Sequence, residues 1–268
     1  ASLMRAIELN AVAVDNNKTA FEWGRRAAHD LPSVEKLFAS AQVIAMPTPR
    51  QGLTDLVARR VAFLTDYQNA AYAQSYENLV KRVGQAESVL GKTLLSQTVA
   101  RYLFKLMAYK DEYEVARLQT DRSFHDKVGA MFEGDFKLNY HLAPPMIAKK
   151  NAKGELQKQA FGPWMLTAFR VLARLKALRG TALDPFGRTE ERRMERALIT
   201  QYQASIEELL QTLNADNHAA AVEVARIPEI IRGYGHVKAR HVLQAQVQWA
   251  EALEAFRQPG SAPHRIAA

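Results

Sequence analysis

The chain has 268 residues, 48% of them hydrophobic and 24% charged, which is ordinary globular usage and excludes disorder throughout. It contains no cysteine, so disulfides, thiolate–zinc sites and cysteine-ligated iron–sulfur clusters are excluded together. The net charge of +8 is concentrated: Lys149 to Arg196 holds twelve Lys and Arg against five Asp and Glu.

No uncharged apolar run approaches the roughly 18 residues of a membrane span, and Arg5, Glu8 and Asp15 interrupt any signal-peptide core. With the missing cysteines, this leads us to expect a soluble, cytoplasmic protein that does not enter a membrane. The basic segment could attract nucleic acid, phosphate-bearing ligands or an acidic protein face. Its aromatics Phe161, Trp164 and Phe169 sit in apolar settings and not in a base-stacking array, so nucleic acid is not expected. A solvated helix face is the simpler account of the charge.

Taken in chain order, Leu3, Ile7, Ala11 and Val14 recur at helical spacing, with Phe21 and Trp23 before Gly24. That stripe is under way by the third residue and no Met precedes it. We therefore expect residues 1–28 to end an upstream domain of a longer polypeptide. A short helix after Pro32 and a Pro- and Gly-containing linker make up 29–52. One long helix is expected from Thr54 or Asp55 through Val61, Leu64, Tyr67 and Tyr76 toward Val89, closed by Gly91. Another is expected from Thr93 to about Gln119.

From Phe136 to Leu142 apolar and polar residues alternate, the period of a strand. Asn151-Ala152-Lys153-Gly154 suits a hairpin tip before a return toward Phe161. A small antiparallel excursion near 135–161 is therefore expected inside a helical domain spanning 53–268. Helices resume from Trp164 to Leu178, closed by Gly180. Asp184-Pro185 has the form of an N-cap followed by Pro at the first helical position. Thr189 opens a helix through Met194 to Leu210, and two more cover Asn217–Ala225 and His236–Phe256. The expected fold is mainly α, a multi-helix domain with a small antiparallel β excursion.

Chemistry-bearing patterns are few. No two of the seven histidines form a metal-binding pair at helical spacing, and His236 and His241, five apart, face different ways. His141 has no orienting partner, and no nucleophile motif organises Ser, His and Asp. No metal site and no catalytic residue is assigned. Gly233, Gly235, His236 and Lys238 could bring backbone N–H groups and two cations to an anion, although a helix corner using Gly for positive φ explains them equally. On the helix to Gln119, the stripe Val99, Leu103, Leu106 continues to Lys110, Tyr113 and Arg117. Charges there must pair, as Glu114 could with Lys110 or Arg117, or meet a partner across an interface.

Six stretches together resemble one family. Arg5–Asn10 with Phe21–Arg25 is similar to the end of the γ-type domain of fused indolepyruvate ferredoxin oxidoreductases. Leu103–Leu118, Phe132–Pro145, Gly162–Leu166, Leu183–Leu198 and Gly233–Lys238 resemble the C-terminal region of that family, in its order. The resemblance implies a parent enzyme that oxidatively decarboxylates an aryl 2-oxoacid with thiamine diphosphate and Mg, passes electrons through iron–sulfur clusters to ferredoxin, and uses coenzyme A as acyl acceptor. It implies no cofactor and no catalytic residue in these 268 residues. The segment is expected to pack on the upstream catalytic domains of a homo-oligomer. Alternatives are contact with the phosphates of coenzyme A, or a basic docking surface for ferredoxin.

Overall fold

Two alanines in the left-handed region, Ala11 at φ 54° and Ala13 at φ 43°, break the opening stripe into two helices. In the computed structural model, which describes residues 2–38, 52–132, 134, 136–142, 157 and 159–258, these are α1 (Ser2–Asn10) and α2 (Val14–His29). The one terminal helix expected within residues 1–28 is thus two, and Gly24 lies inside α2. α3 (Leu31–Phe38) follows. Lys18 of α2 donates to Glu8 of α1 at 2.7 Å, and no residue of either helix is buried. The chain divides into two compact units, Ala1–Arg50 and Gln51–Ala268.

The second unit is where the core lies. α4 (Leu53–Tyr67) and α5 (Ala70–Ser88) replace the single long helix expected there. The break is at Asn69, whose side chain accepts from the Tyr72 N–H and so starts a new helix. α6 (Leu94–Met107) and α7 (Glu112–Gln119) likewise replace one expected helix, because Asp111 caps α7 by accepting from Glu114 N–H at 2.8 Å. Lys110, Tyr113 and Arg117 therefore do not continue the stripe of Val99, Leu103 and Leu106. α8 (Arg122–Gly129) leads toward a two-stranded antiparallel sheet, β1 (Tyr140–Leu142) against β2 (Gln159–Phe161), with Tyr140 opposite Phe161. The hairpin tip at Asn151–Gly154, Pro144-Pro145, linker residues 41–51 and the tail beyond Gln258 lie outside the described residues.

α9 (Met165–Arg174) runs into a 3-10 turn (Leu175–Leu178) before Gly180 at φ 74°. Asp184 does not cap a helix as its sequence setting suggested; it sits in a tight turn, and α10 (Glu190–Thr212) starts at Thr189, which accepts from Arg192 N–H. α11 (His218–Arg226), a 3-10 turn (Ile227–Ile230) and α12 (Gly235–Arg257) follow. Among the described residues the fold is mainly α with this one small sheet.

α6 is the hub, packed against α4, α5, α10 and α11 and buried on nearly every side. The reason is compositional: apolar Leu95, Val99, Leu103, Leu106 and Met107 alternate with small or hydroxyl-bearing Ser96, Thr98 and Ala100, so neighbours fit all round it. Its N-terminus is held from outside. Glu87, wholly buried at the end of α5, accepts from Leu95 N–H at 2.6 Å and Ser96 N–H at 2.7 Å, and meets His218 Nε2 of α11 at 2.7 Å. A carboxylate at a helix N-terminus satisfies orphan donors and opposes the positive dipole end. Three helices are thus joined by one side chain.

On the far side of the core, Trp249 of α12 is almost fully buried, donates Nε1–H to Ser205 Oγ at 2.9 Å and meets Tyr202 edge-on at 5.9 Å. A smaller cluster of Ala116, Tyr140, Met165 and Phe169 ties the sheet to α7 and α9. Trp249→Ala is expected to cost about 3–5 kcal/mol, and Trp249→Phe about 1–3 kcal/mol because Ser205 keeps no indole donor. Urea denaturation of the two variants checks the order.

Candidate functional site

The side chains with the most chemical potential lie around the two helix breaks. Arg179, just past the 3-10 turn, is buried and forks onto Asp111: Nε donates to Oδ2 at 2.5 Å and Nη2 to Oδ1 at 2.9 Å. Its Nη1 donates to the Tyr67 carbonyl at 2.5 Å, and the guanidinium stacks 3.7 Å from the centre of the Tyr67 ring. One planar cation therefore closes the end of α4 and fixes the cap of α7. Tyrosine hydroxyls satisfy carbonyls left over where α6 ends: Tyr72 donates to Met107 O at 3.0 Å and Tyr67 to Tyr109 O at 2.8 Å. Burial, followed by the Asp111 charge, pushes the Tyr67 hydroxyl far above its ordinary range, and Tyr109 is pushed up to about 12 for the same two reasons. These hydroxyls are permanent donors, unsuited to act as bases.

Beside this fork, Tyr113 donates to Asp184 Oδ1 at 3.0 Å, and Asp184 also accepts from Gly180 N–H at 2.8 Å and Phe186 N–H at 3.0 Å. Burial works against ionisation of Asp184, but the backbone donors and the Tyr113 hydroxyl outweigh it and hold the carboxyl below its usual range. Glu87 behaves the same way: burial opposes its charge, and His218, Ser96 and the backbone donors prevail. A Cβ at Gly187 would stand 2.5 Å from Asp184 Oδ2, so any larger residue there would displace the carboxylate from its donors.

A second group links α10 to α12. Arg192 pairs with Glu195, and Lys238 donates to the other oxygen of Glu195 at 2.5 Å. Glu112 of α7 lies 3.4 Å from Arg192 Nε. Between these helices and the end of α6 opens a cavity of about 260 Å³, with Lys105, Lys110, Arg232 and Lys238 on its walls, Glu195 as its acid, and Tyr109 and Tyr234 as aromatic surface. Gly233 at φ 81° turns the chain at its rim.

The residues singled out from sequence divide accordingly. Gly233 and Lys238 do line this cavity, but Gly235 N–H donates to Glu191 at 3.1 Å and His236 is exposed and outside the lining. Lys110 is at the cavity, its ammonium 5.7 Å from the Tyr234 ring centre. Tyr113 is buried on Asp184, and Arg117 forks onto Glu114 at 2.8 Å twice. Sequence reasoning assigned no role to Arg179, Asp111 or Lys105 and read Asp184 only as a helix cap. Lys105 left a trace, as a charge between Phe104 and Leu106. Among the described residues no group of three or more His, Cys, Asp and Glu could hold a metal ion, and no helix is long and apolar enough to cross a membrane.

The fold and these contacts define a helical module whose buried charges join helix ends and whose cation-lined hollow opens beside them. The chain belongs to a family of unknown function, DUF6537, whose model matches residues 53–251. No curated protein and no solved structure matches it.

Two outcomes test this site. Arg179→Ala is expected to cost about 3–5 kcal/mol, since it strands the Asp111 carboxylate in the interior; chemical denaturation measures it. Asp184 and Glu87 have folded pKa values below their unfolded ones, so their contribution is complete above about pH 4.5 and lost as pH falls through the folded values. Asp184→Asn and Glu87→Gln should therefore be less stable than the native chain at pH 7 and lose less stability on acidification, read as urea midpoints across pH 2.5–7.

Proposed function

We propose that residues 53–268 are the helical C-terminal region of an aryl 2-oxoacid ferredoxin oxidoreductase, serving its catalytic domains as a scaffold and carrying no reaction chemistry itself. The observation that carries this is where the resembling stretches fall. Leu103–Leu118, Leu183–Leu198 and Gly233–Lys238 are far apart in sequence, yet Asp111, Tyr113, Asp184, Glu195 and Lys238, which build the ionic groups and the cavity, all come from them. Stretches that carry a family likeness and converge in space are under one shared constraint. Here that constraint is the joining of helices, because every buried carboxylate described above is bonded to a backbone donor, a tyrosine or a cation. A rigid module of this kind presents a fixed outer surface to neighbouring domains.

The test uses the longer polypeptide that the resemblance implies, assayed for indolepyruvate-dependent reduction of ferredoxin with thiamine diphosphate and coenzyme A supplied. Deleting residues 53–268 is expected to abolish assembly or lower turnover at least about tenfold, a transition-state loss of about 1.4 kcal/mol. Undiminished assembly and turnover after the deletion would refute the scaffold role. Turnover by the 268-residue chain alone would refute it too.

A further inference from the structure

The hollow between α6, α10 and α12 holds more positive charge than its own acids balance. Among the described residues Lys105, Lys110, Arg232 and Lys238 line it, with Glu195 as the lining acid. Glu195 is already bound by Arg192 and Lys238, and nearby Glu191 accepts from Gly235 N–H and lies 3.8 Å from Arg192. Lys105 donates to Pro228 O at 2.7 Å and Glu229 O at 3.1 Å, which hold its ammonium at the wall. Burial, and next the Arg232 charge, push that ammonium below its usual range; the Glu229 charge opposes them and Lys238 adds to them. Crowded cations of this kind are relieved by an incoming anion.

We infer that this hollow is a binding site for a phosphate-bearing small molecule. The phosphates would be held by Lys105, Lys110 and Arg232, and the organic part would rest on the Tyr234 ring. Lys238 shares its charge with Glu195 and sets the depth of the site. Multiple charges on one ligand are needed to match cations arriving from α6, α12 and the loops that follow α6 and precede α12, and a single carboxylate would leave most of them unanswered. Tyr234 is exposed at the rim, which leaves an aromatic platform next to the cationic wall. The inference stands on these side chains and not on the oxidoreductase assignment; either can fail without the other.

The probe is inorganic pyrophosphate, titrated calorimetrically into the 268-residue chain. Saturable binding of one equivalent is expected, weakening as salt rises. Lys110 and Arg232 are exposed, so Lys110→Ala with Arg232→Ala leaves the core intact and should lower affinity at least about tenfold. Arg59→Gln with Lys81→Gln, which removes the same charge from exposed sites on α4 and α5, should leave affinity unchanged. Absence of saturable heat at millimolar pyrophosphate, or equal weakening by both double variants, would overturn the inference. So would tight binding to phosphatidate vesicles that pyrophosphate fails to displace, because the ligand would then be a membrane surface.

Discussion

The geometry of the second unit depends on one buried pair, Arg179 on Asp111. Two ions withdrawn from water are costly, and the cost is met here only because every arm of the guanidinium is engaged, two by the carboxylate and one by the Tyr67 carbonyl. The benefit is placement more than strength. The end of α4, the start of α7 and the turn after α9 are fixed relative to one another by a single planar group. Tyr67 and Tyr72 then reach the carbonyls that the end of α6 leaves over. Remove the cation, and three helix ends lose their common reference.

The same pair accounts for what the sequence did and did not disclose. Periodicity placed α3, α10, α11 and α12 close to their observed bounds, because their limits are written locally in Pro32, Thr189, Pro228 and Gly233; it found the small sheet but began its first strand at Phe136, where the strand starts only at Tyr140. It ran α4 into α5 and α6 into α7, because apolar spacing continues across both junctions and neither contains Gly or Pro. Asn69 is a local stop signal that was passed over. Asp111 is also a local cap, accepting from Glu114 N–H, but between Lys110 and Glu112 it looks like surface charge, and its buried pairing appears only with Arg179, 68 residues away. Asp184 misled for a related reason. A cap and a carboxylate-centred turn share the same short-range pattern, and Tyr113, 71 residues distant, decides between them.

Of the candidate site, the glycine corner was legible and its partners were not. Gly233 and Lys238 are consecutive enough to be noticed together, whereas Lys105 and Glu195 join them only because α6 and α10 pack side by side. Glu191 shows why the corner alone was an incomplete guide. It places a carboxylate on Gly235 N–H, so the backbone donor that a sequence motif would offer to an anion is already occupied, and the available positive charge belongs to side chains on other helices.

Arg179 also sets an order of events in making the chain. It contacts Tyr67 across 112 residues. During synthesis, α4 to α7 leave the ribosome well before the residue that clasps them exists. A polypeptide ending before the turn after α9 would keep the local caps of Asn69 and Asp111 but would leave the Asp111 carboxylate without its cation.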